Sequence, residues 1–399
     1  MNPFVCEELA GGLRIAVVTE TYPPEVNGVA KTAARFVEGL RGRGHAVQVV
    51  RPRQNAADQG SDVLMRGVSI PCYRDLKIGL PAKRALQRLW SFRRPDVVHI
   101  VTEGPLGWSA LQAAAKLKLP VVSDFRTNFH SYSSHYRVGW LRKPILSYLR
   151  RFHNRTLSTI VPTASMRVEL ARLGFQRLRV IARGIDTKLF DPARRDASLR
   201  ASWGAGPDEI VLLYVGRLAA EKNLAAVLAV HERTPGSKLV LVGDGPERRS
   251  LEARMPNAVF AGLRTGTDLA AHYASGDVFL FPSLTETFGN VTLEAMASGL
   301  AVVAFDYAAA GEVIESGING SLAERGDTAE FVSHAASLAG DPARVRELGA
   351  RARATCAEQG WDKVVQQLET VLMAGVNAVR DARFDLREAQ GRRPEVARG

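Results

Sequence analysis

The sequence predicts an α/β protein built from two doubly wound parallel-sheet domains, and three observations predict it. Short apolar runs of strand length alternate with longer amphipathic stretches through the first half. The same alternation restarts after a linker, Arg183-Gly184-Ile185-Asp186-Thr187-Lys188-Leu189-Phe190-Asp191-Pro192, which interrupts the pattern. At 399 residues the chain is long enough for two such domains, each with its own core. The expected units are residues 1–185, residues 186–360, a helix over 361–380 that packs back on the first unit, and a charged, disordered tail over 381–399.

The first strand, Arg14 to Thr19, feeds the loop Glu20-Thr21-Tyr22-Pro23-Pro24-Glu25-Val26-Asn27-Gly28, and a helix from about Val29 to Arg43 follows until Gly44 stops it. Gly28 lets a ligand approach the backbone, or marks a plain turn. Further strands are read at Ala46 to Arg51, Val97 to Val101, Val121 to Ser123 and Thr159 to Val161. The helices between and after them lie near Ala82 to Arg93, Ser109 to Lys116, Leu141 to His153 and Ser165 to Leu173. Beyond the linker a charged helix leads into strands at Ile210 to Val215, Lys238 to Val242, Val259 to Ala261, Val278 to Phe281 and Ala301 to Ala304. Asp341 to Glu358 and Trp361 to Val379 read as terminal helices.

The net charge of +12 is unevenly spread. Basic residues outnumber acidic ones by more than two to one in residues 1–185, whereas acidic residues are in slight excess over 186–399. The first half is therefore expected to meet an anionic partner: nucleic acid, an anionic membrane face or an anionic acceptor. Arg137 to Phe152 mixes basic and large apolar residues at helical spacing, which suits either packing on its own sheet or peripheral contact with anionic lipid. Glu7 and Glu8 stand where a secretory signal needs an apolar run, and no stretch reaches ~18 uninterrupted apolar residues, so a cytoplasmic location is expected. Cys6, Cys72 and Cys356 match no zinc or redox spacing and read as reduced, structural thiols.

The richest stretch is Ser283 to Gly299, a polar turn and helix between two buried strands. Free amides at a helix opening at Gly289-Asn290 would hold a phosphate. Glu286 and Glu294, eight positions apart, would flank those amides about two turns apart, although acidic residues near a helix start also serve as caps. Arg217 and Lys222 follow the strand Ile210 to Val215 at the same sheet edge, where a rigid charged fork and a mobile ammonium would neutralise a departing diphosphate. Val242-Gly243-Asp244-Gly245-Pro246 ends the next strand in a tight turn.

These features together resemble the GT4 family (glycosyl transferases group 1), retaining glycosyltransferases of the GT-B fold. Arg217 with Lys222, and Glu286 and Glu294 around Phe288-Gly289-Asn290, resemble the family's donor site. The Glu20 to Gly28 loop, the Arg183-Gly184-Ile185-Asp186 link and Gly243-Asp244-Gly245-Pro246 extend the match over nearly the whole chain. The loop and linker are most similar to the branch of mannosyltransferases and sulfoquinovosyl- or glucosyl-lipid synthases.

The resemblance implies an acceptor-binding first domain and a nucleotide-sugar-binding second domain. It implies that Glu286 contacts donor-sugar hydroxyls, Glu294 holds the ribose, and the amides near Phe288, Gly289 and Asn290 bind the diphosphate. Arg217 and Lys222 would stabilise the leaving phosphates, Gly28 would let the first loop close over them, and Arg264 is a candidate for the base. The family usually shows Phe-His-Thr where this chain has Phe125-Arg126-Thr127. Arg126 would read an anionic donor or acceptor at that place, or His130 would supply an imidazole from nearby.

The implied reaction is hexosyl transfer, of mannose or glucose, from GDP-mannose or UDP-glucose to a hydroxyl of a lipid or glycan at the cytoplasmic membrane face. The nucleotide-sugar is a substrate, so no cofactor is expected, and the lack of any Asp-x-Asp pair gives no reason to expect a metal clamp. A nucleotide-sugar epimerase would use the same cleft. A nucleic-acid-binding protein is favoured by charge alone and lacks any reading motif.

Overall fold

In the computed structural model, residues 12–25, 27–54, 58, 61–70, 73–126, 142–357 and 359–391 are described. Among them, β1 (Arg14–Val18), β2 (Ala46–Pro52), β3 (Val63–Met65), β4 (Gly67–Ile70), β5 (Tyr73–Gly79), β6 (Val97–Ile100), β7 (Val121–Asp124), β8 (Ser158–Val161) and β9 (Leu178–Val180) precede the linker. Seven of these form one sheet in the order β3-β2-β1-β6-β7-β8-β9. Every pairing in that sheet is parallel, and β4 and β5 make a separate antiparallel pair. The second half contains β10 (Val211–Val215), β11 (Lys238–Val242), β12 (Val259–Gly262), β13 (Val278–Phe281), β14 (Ala301–Phe305) and β15 (Ser321–Ala323). They form an all-parallel sheet in the order β12-β11-β10-β13-β14-β15.

Parallel strands covered on both faces must be apolar throughout, and the central strands β6, β10, β13 and β14 are buried at every position. Each sheet carries a hydrophobic core on either face. In each, the strand order reverses beside the first strand, between β1 and β6 and between β10 and β13. Loops diverge at such a reversal and leave a crevice at the carboxyl edge, which is where α/β sheets bind ligands.

The helix Trp361–Gly391 returns to the first sheet, and Val364, Val365, Leu368, Leu372 and Val376 join the core of Ile15, Val17, Phe36 and Leu40. The His45 ring fixes the docking, because Nδ1 accepts from the Leu13 amide at 3.0 Å while Nε2 lies 2.8 Å from Glu369 Oε1. The outgoing linker and the returning chain meet where the Ile185 amide donates to the Gln359 carbonyl at 3.0 Å. Arg353 clamps the linker to a helix of the second half through the carbonyls of Thr187, Phe190 and Ala297 and the carboxylate of Asp191.

Several expectations change. The stretch 381–391 continues the last helix instead of forming a tail, since no proline occurs between Trp361 and Pro394 and no glycine between Gly375 and Gly391; residues 392–399 lie outside the described residues. Strands β3, β9 and β15, each three residues, and the β4–β5 pair were not expected from the pattern, because edge strands this short or this mixed in polarity give no apolar run of full strand length. The first helix starts one residue early, at Gly28, with Asn27 as its cap. Of the cysteines, Cys356 is buried and free, its thiol pushed up to about 12 by burial, while Cys6 and Cys72 lie outside the described residues.

Candidate active site

The two crevices face each other across one cleft of about 1060 Å³, lined from the first half by Glu20, Gly28, Glu103, Arg126 and Tyr148 and from the second by Arg217, Arg264, Glu286, Asn290 and Glu294. The loops after β10 and β13 converge on its floor. The short 3₁₀ turn Ala220–Lys222 carries Lys222 toward the β13 loop, where its ammonium pairs with the Glu286 carboxylate and lies 3.5 Å from Ser283 Oγ. Ser283 Oγ donates to Glu286 Oε1 at 2.9 Å. The turn is braced from behind: Tyr307 donates to the Glu286 carbonyl at 3.0 Å, and Arg325 donates to the Leu284 carbonyl while its guanidinium stacks 3.8 Å over the Tyr307 ring. Glu286 is thus fixed by its backbone, while its carboxylate keeps its contacts at the cleft.

The helix Asn290–Ala297 opens immediately after that turn, with Gly289 at φ +90° as its first flanking residue. A side chain at that φ is strained, and a Cβ there would meet the Phe281 ring at 3.3 Å, so glycine is what lets the chain enter the helix at this angle. The first amides of a helix have no intrahelical partner and carry its positive dipole end, so this opening presents to the cleft a surface suited to an anion. Because Glu286 precedes the helix, Glu294 lies only one turn beyond Asn290, not two turns from Glu286 along a continuous helix. Glu294 accepts from Tyr273 at 2.8 Å, and burial raises its pKa against the opposing pull of Lys31 from the first half and of the Tyr273 hydroxyl.

Arg217 is half-exposed, with 52% of its side chain accessible, and pairs with Glu221 one helical turn on. Arg264 lies at the cleft rim, donating to the Ala261 carbonyl at 2.9 Å and standing 3.2 Å from Asp268. Phe288 is buried, and its ring lies beneath the Arg183 guanidinium at 5.6 Å. Gly28 approaches from the first half: a Cβ there would stand 3.0 Å from Arg183 Nη1 and 3.7 Å from Asn290 Nδ2. The glycine therefore permits the two halves to touch at the point where the first helix points into the cleft. Arg126 is buried at the end of β7, donates from Nε to Asp124 Oδ2 at 3.0 Å and covers the Phe36 ring. His130 lies outside the described residues, as do residues 137–141 of the basic stretch. The rest of that stretch forms the helix Arg142–His153, which buries Leu149, Phe152 and His153 and leaves Ile145 and Tyr148 partly exposed at the cleft.

The two halves match the profiles described as Glycosyltransferase Family 4, over residues 26–189, and Glycosyl transferases group 1, over residues 209–341. The GDP-mannose-dependent alpha-mannosyltransferase of Corynebacterium glutamicum is 31% identical over 90% of this chain and 89% of its own. The chain belongs to glycosyltransferase family 4. Sulfoquinovosyl transferase SQD2 of Arabidopsis thaliana is 32% identical, over 89% of this glycosyltransferase and 72% of the plant protein. The fold is GT-B: sucrose-phosphate synthase from Thermosynechococcus elongatus superposes with a TM-score of 0.76, covering 92% of this chain and 100% of the other at 20% identity.

Three further residues of this glycosyltransferase carried no role in the sequence reading: Arg183 lines the cleft, and Tyr273 and Ser283 are buried behind residues that do. Arg183 sits in the linker, Tyr273 anchors Glu294 from 21 positions away, and Ser283 holds Glu286. Only Arg183 gave a signal, an arginine beside a glycine in the link between the two halves. Glu20 is a fourth: its carboxylate accepts from the Leu106 amide at 2.9 Å and is pushed up to about 7 by burial, against the amides of Leu106, Gly79 and Gly107.

Proposed function

We propose that the chain moves a hexose from a nucleotide diphosphate donor to a hydroxyl of a lipid or glycan with retention of anomeric configuration. The observation that carries this is the convergence, at the second sheet's order reversal, of Lys222, Glu286 and the opening of the helix Asn290–Ala297. Cation and helix-start amides suit a diphosphate, and an acid beside them suits the hydroxyls of the sugar it carries. Glu294, one turn deeper and held by Tyr273, suits the ribose, with Arg264 at the rim for the base. Residues 1–185 then serve the acceptor and 186–360 the donor, with the last helix tying the second half back to the first.

In this reading Arg217, Lys222 and the amides stabilise charge on the leaving diphosphate, so the bond from C1 to the phosphate oxygen breaks with an oxocarbenium-like sugar. The acceptor hydroxyl attacks C1 from the face the phosphate leaves, and a phosphate oxygen takes its proton. No protein nucleophile enters the scheme. Closure of the two halves over bound substrates would exclude water and so suppress hydrolysis of the donor.

The Corynebacterium glutamicum relative is GDP-mannose-dependent by name, which supports GDP-mannose as a donor candidate beside UDP-glucose. The basic first half and the partly exposed Ile145 and Tyr148 beside Lys143, Arg150 and Arg151 support a peripheral position at the cytoplasmic membrane face. No helix among the described residues is long and apolar enough to cross a membrane. Thermal-shift titration with GDP, UDP and ADP and their sugars tests the donor: one nucleotide series should raise the midpoint, and no response to any of them refutes the reading. Flotation with neutral and anionic vesicles tests the location, equal recovery from both counting against it.

A further inference from the structure

We infer that Glu312 is a positioning residue for the turn that carries Glu286: it caps a helix of the first half, and through its own segment it makes the hold on the transferred sugar depend on that contact. The inference rests on the transferase reading and adds to it a coupling between the halves.

The contact is direct. The helix Ala164–Arg172 follows β8 in the first half, with Thr163 as its cap. Thr163 Oγ1 accepts from the Met166 amide at 3.1 Å, and the Ser165 amide donates to Glu312 Oε1 at 2.9 Å, 147 positions on. A carboxylate accepting from a first-turn amide also meets the positive end of the helix dipole. Neither the linker nor the returning last helix takes part, so this bond joins the two sheet units themselves.

The same segment reaches the Glu286 turn. Glu312 lies in the short helix Ala308–Val313, whose flanking residue is Tyr307. The Tyr307 hydroxyl donates to the Glu286 carbonyl at 3.0 Å, and the Ala309 amide donates to the Phe288 carbonyl at 2.7 Å. Residues 307–312 therefore touch the turn at two carbonyls and the first half at a third point. Ala309 and Glu312 are three positions apart, so only about 4.5 Å of helix axis separates the two ends.

This bridge is stiff. Ala308 stands at φ +53° and is 6% accessible. A residue with a Cβ stays in that region only where its surroundings hold it there. Ala309, Ala310 and Ile314 sit in the same core as Phe288, and the Asp306 amide ties the preceding residue to the Ala323 carbonyl at 2.8 Å. A displacement at Glu312 is thus passed to the turn instead of being absorbed in a bend. Glu286 answers for the sugar in the transferase reading, so the sugar's share of donor binding is where the coupling shows.

Calorimetry on the full chain compares GDP with GDP-mannose and UDP with UDP-glucose. In the series that binds, the ratio of the two dissociation constants isolates the sugar's share. Glu312 is exposed, so its variants keep the fold. In Glu312→Ala the sugar's share should fall about threefold to tenfold, the scale of one net hydrogen bond, while the nucleotide alone binds as before. Glu312→Gln keeps an acceptor oxygen and should recover most of the loss. Ser165→Pro deletes the donor amide in a first turn, where proline is tolerated, and should match Glu312→Ala, whereas Ser165→Ala keeps the amide and should change nothing. The double variant Glu312→Ala with Ser165→Pro should lose no more than either alone. A ratio unchanged in Glu312→Ala overturns the inference, whether the unfolding midpoint falls or the nucleotide weakens by the same factor. Additive losses in the double variant overturn it as well. Should Ser165→Pro not fold, Glu312→Gln decides: recovery supports the inference, and a loss equal to that of alanine overturns it. An unaltered chain that binds no nucleotide overturns the transferase reading and this inference with it, a result distinct from any confined to the variants.

Discussion

Arg183 donates from Nη1 to Asn290 Oδ1 at 2.9 Å, and this bond joins the linker to the first residue of the helix that faces the cleft. The contact is part-buried, and Gly28 of the first half stands against both partners. The linker, the helix Asn290–Ala297 and the first-half helix therefore share one corner. Asn290→Ala should leave the buried guanidinium short of another acceptor and lower stability by about 1–3 kcal/mol. Denaturant unfolding measures this; an unchanged midpoint would mean that water replaces the amide oxygen.

Glu286→Ala should abolish transfer while sparing the fold, since the turn is held through its carbonyl oxygens by Tyr307 and Arg325 and not through the carboxylate. Product formation and the thermal midpoint are measured together. Retained activity would remove Glu286 from the site.

Lys222→Ala should reduce kcat/KM by about two to three orders of magnitude, the scale of losing one charge-stabilising donor. Lys222 is also the cation paired with Glu286, so the variant leaves that carboxylate with Ser283. Initial rates over a range of donor concentration give the split, and an effect on KM alone would point to uniform binding instead.

Tyr273→Phe removes the hydroxyl that donates to Glu294 at 2.8 Å. Burial already raises the Glu294 pKa, and losing this donor raises it further. The expected result is weaker nucleotide binding toward neutral pH with the ring packing kept, followed by calorimetry between pH 5 and 8. Parallel profiles for both proteins would take Glu294 out of nucleotide recognition.

Glu20 gives a pH dependence of defined sign. Burial lifts its pKa from 4.5 to about 7, so between those values the folded chain keeps a proton that the unfolded chain has lost. Stability from this group is full below about 4.5 and falls as pH rises to about 7, by roughly 3 kcal/mol at most. Glu20→Gln should flatten that part of the profile. A slope that survives the substitution would assign it to another group.

The sheet centres were legible because a strand buried on both faces has no choice but an apolar run, as in Val278 to Phe281 and Ala301 to Ala304. The edge strands were not, since Leu178-Arg179-Val180 needs only one neighbour and half a cover. Glu286 and Lys222 could be picked out because turns after parallel strands lie at one sheet edge. The place of Arg183 could not: its burial comes from Phe288 and Asn290, more than a hundred positions away, and no local period records that packing. The same holds for Tyr273 beneath Glu294.

The return of the last helix makes a prediction that tests the architecture directly. Gly39 faces Val365 so closely that a Cβ would stand 2.4 Å from one of its methyl groups. Valine is stiff about χ1 and cannot swing away within a packed core, so Gly39→Ala should force the helix outward. Alanine favours helix over glycine by about 1 kcal/mol, and the expected net loss of roughly 1–3 kcal/mol must come from the clash. Val365→Ala removes the methyls and costs packing of its own, but in its background Gly39→Ala should turn neutral or stabilising. A double-mutant cycle read by urea unfolding measures the coupling. Additive effects would mean that the two residues do not touch and that the terminal helix does not hold the halves together here.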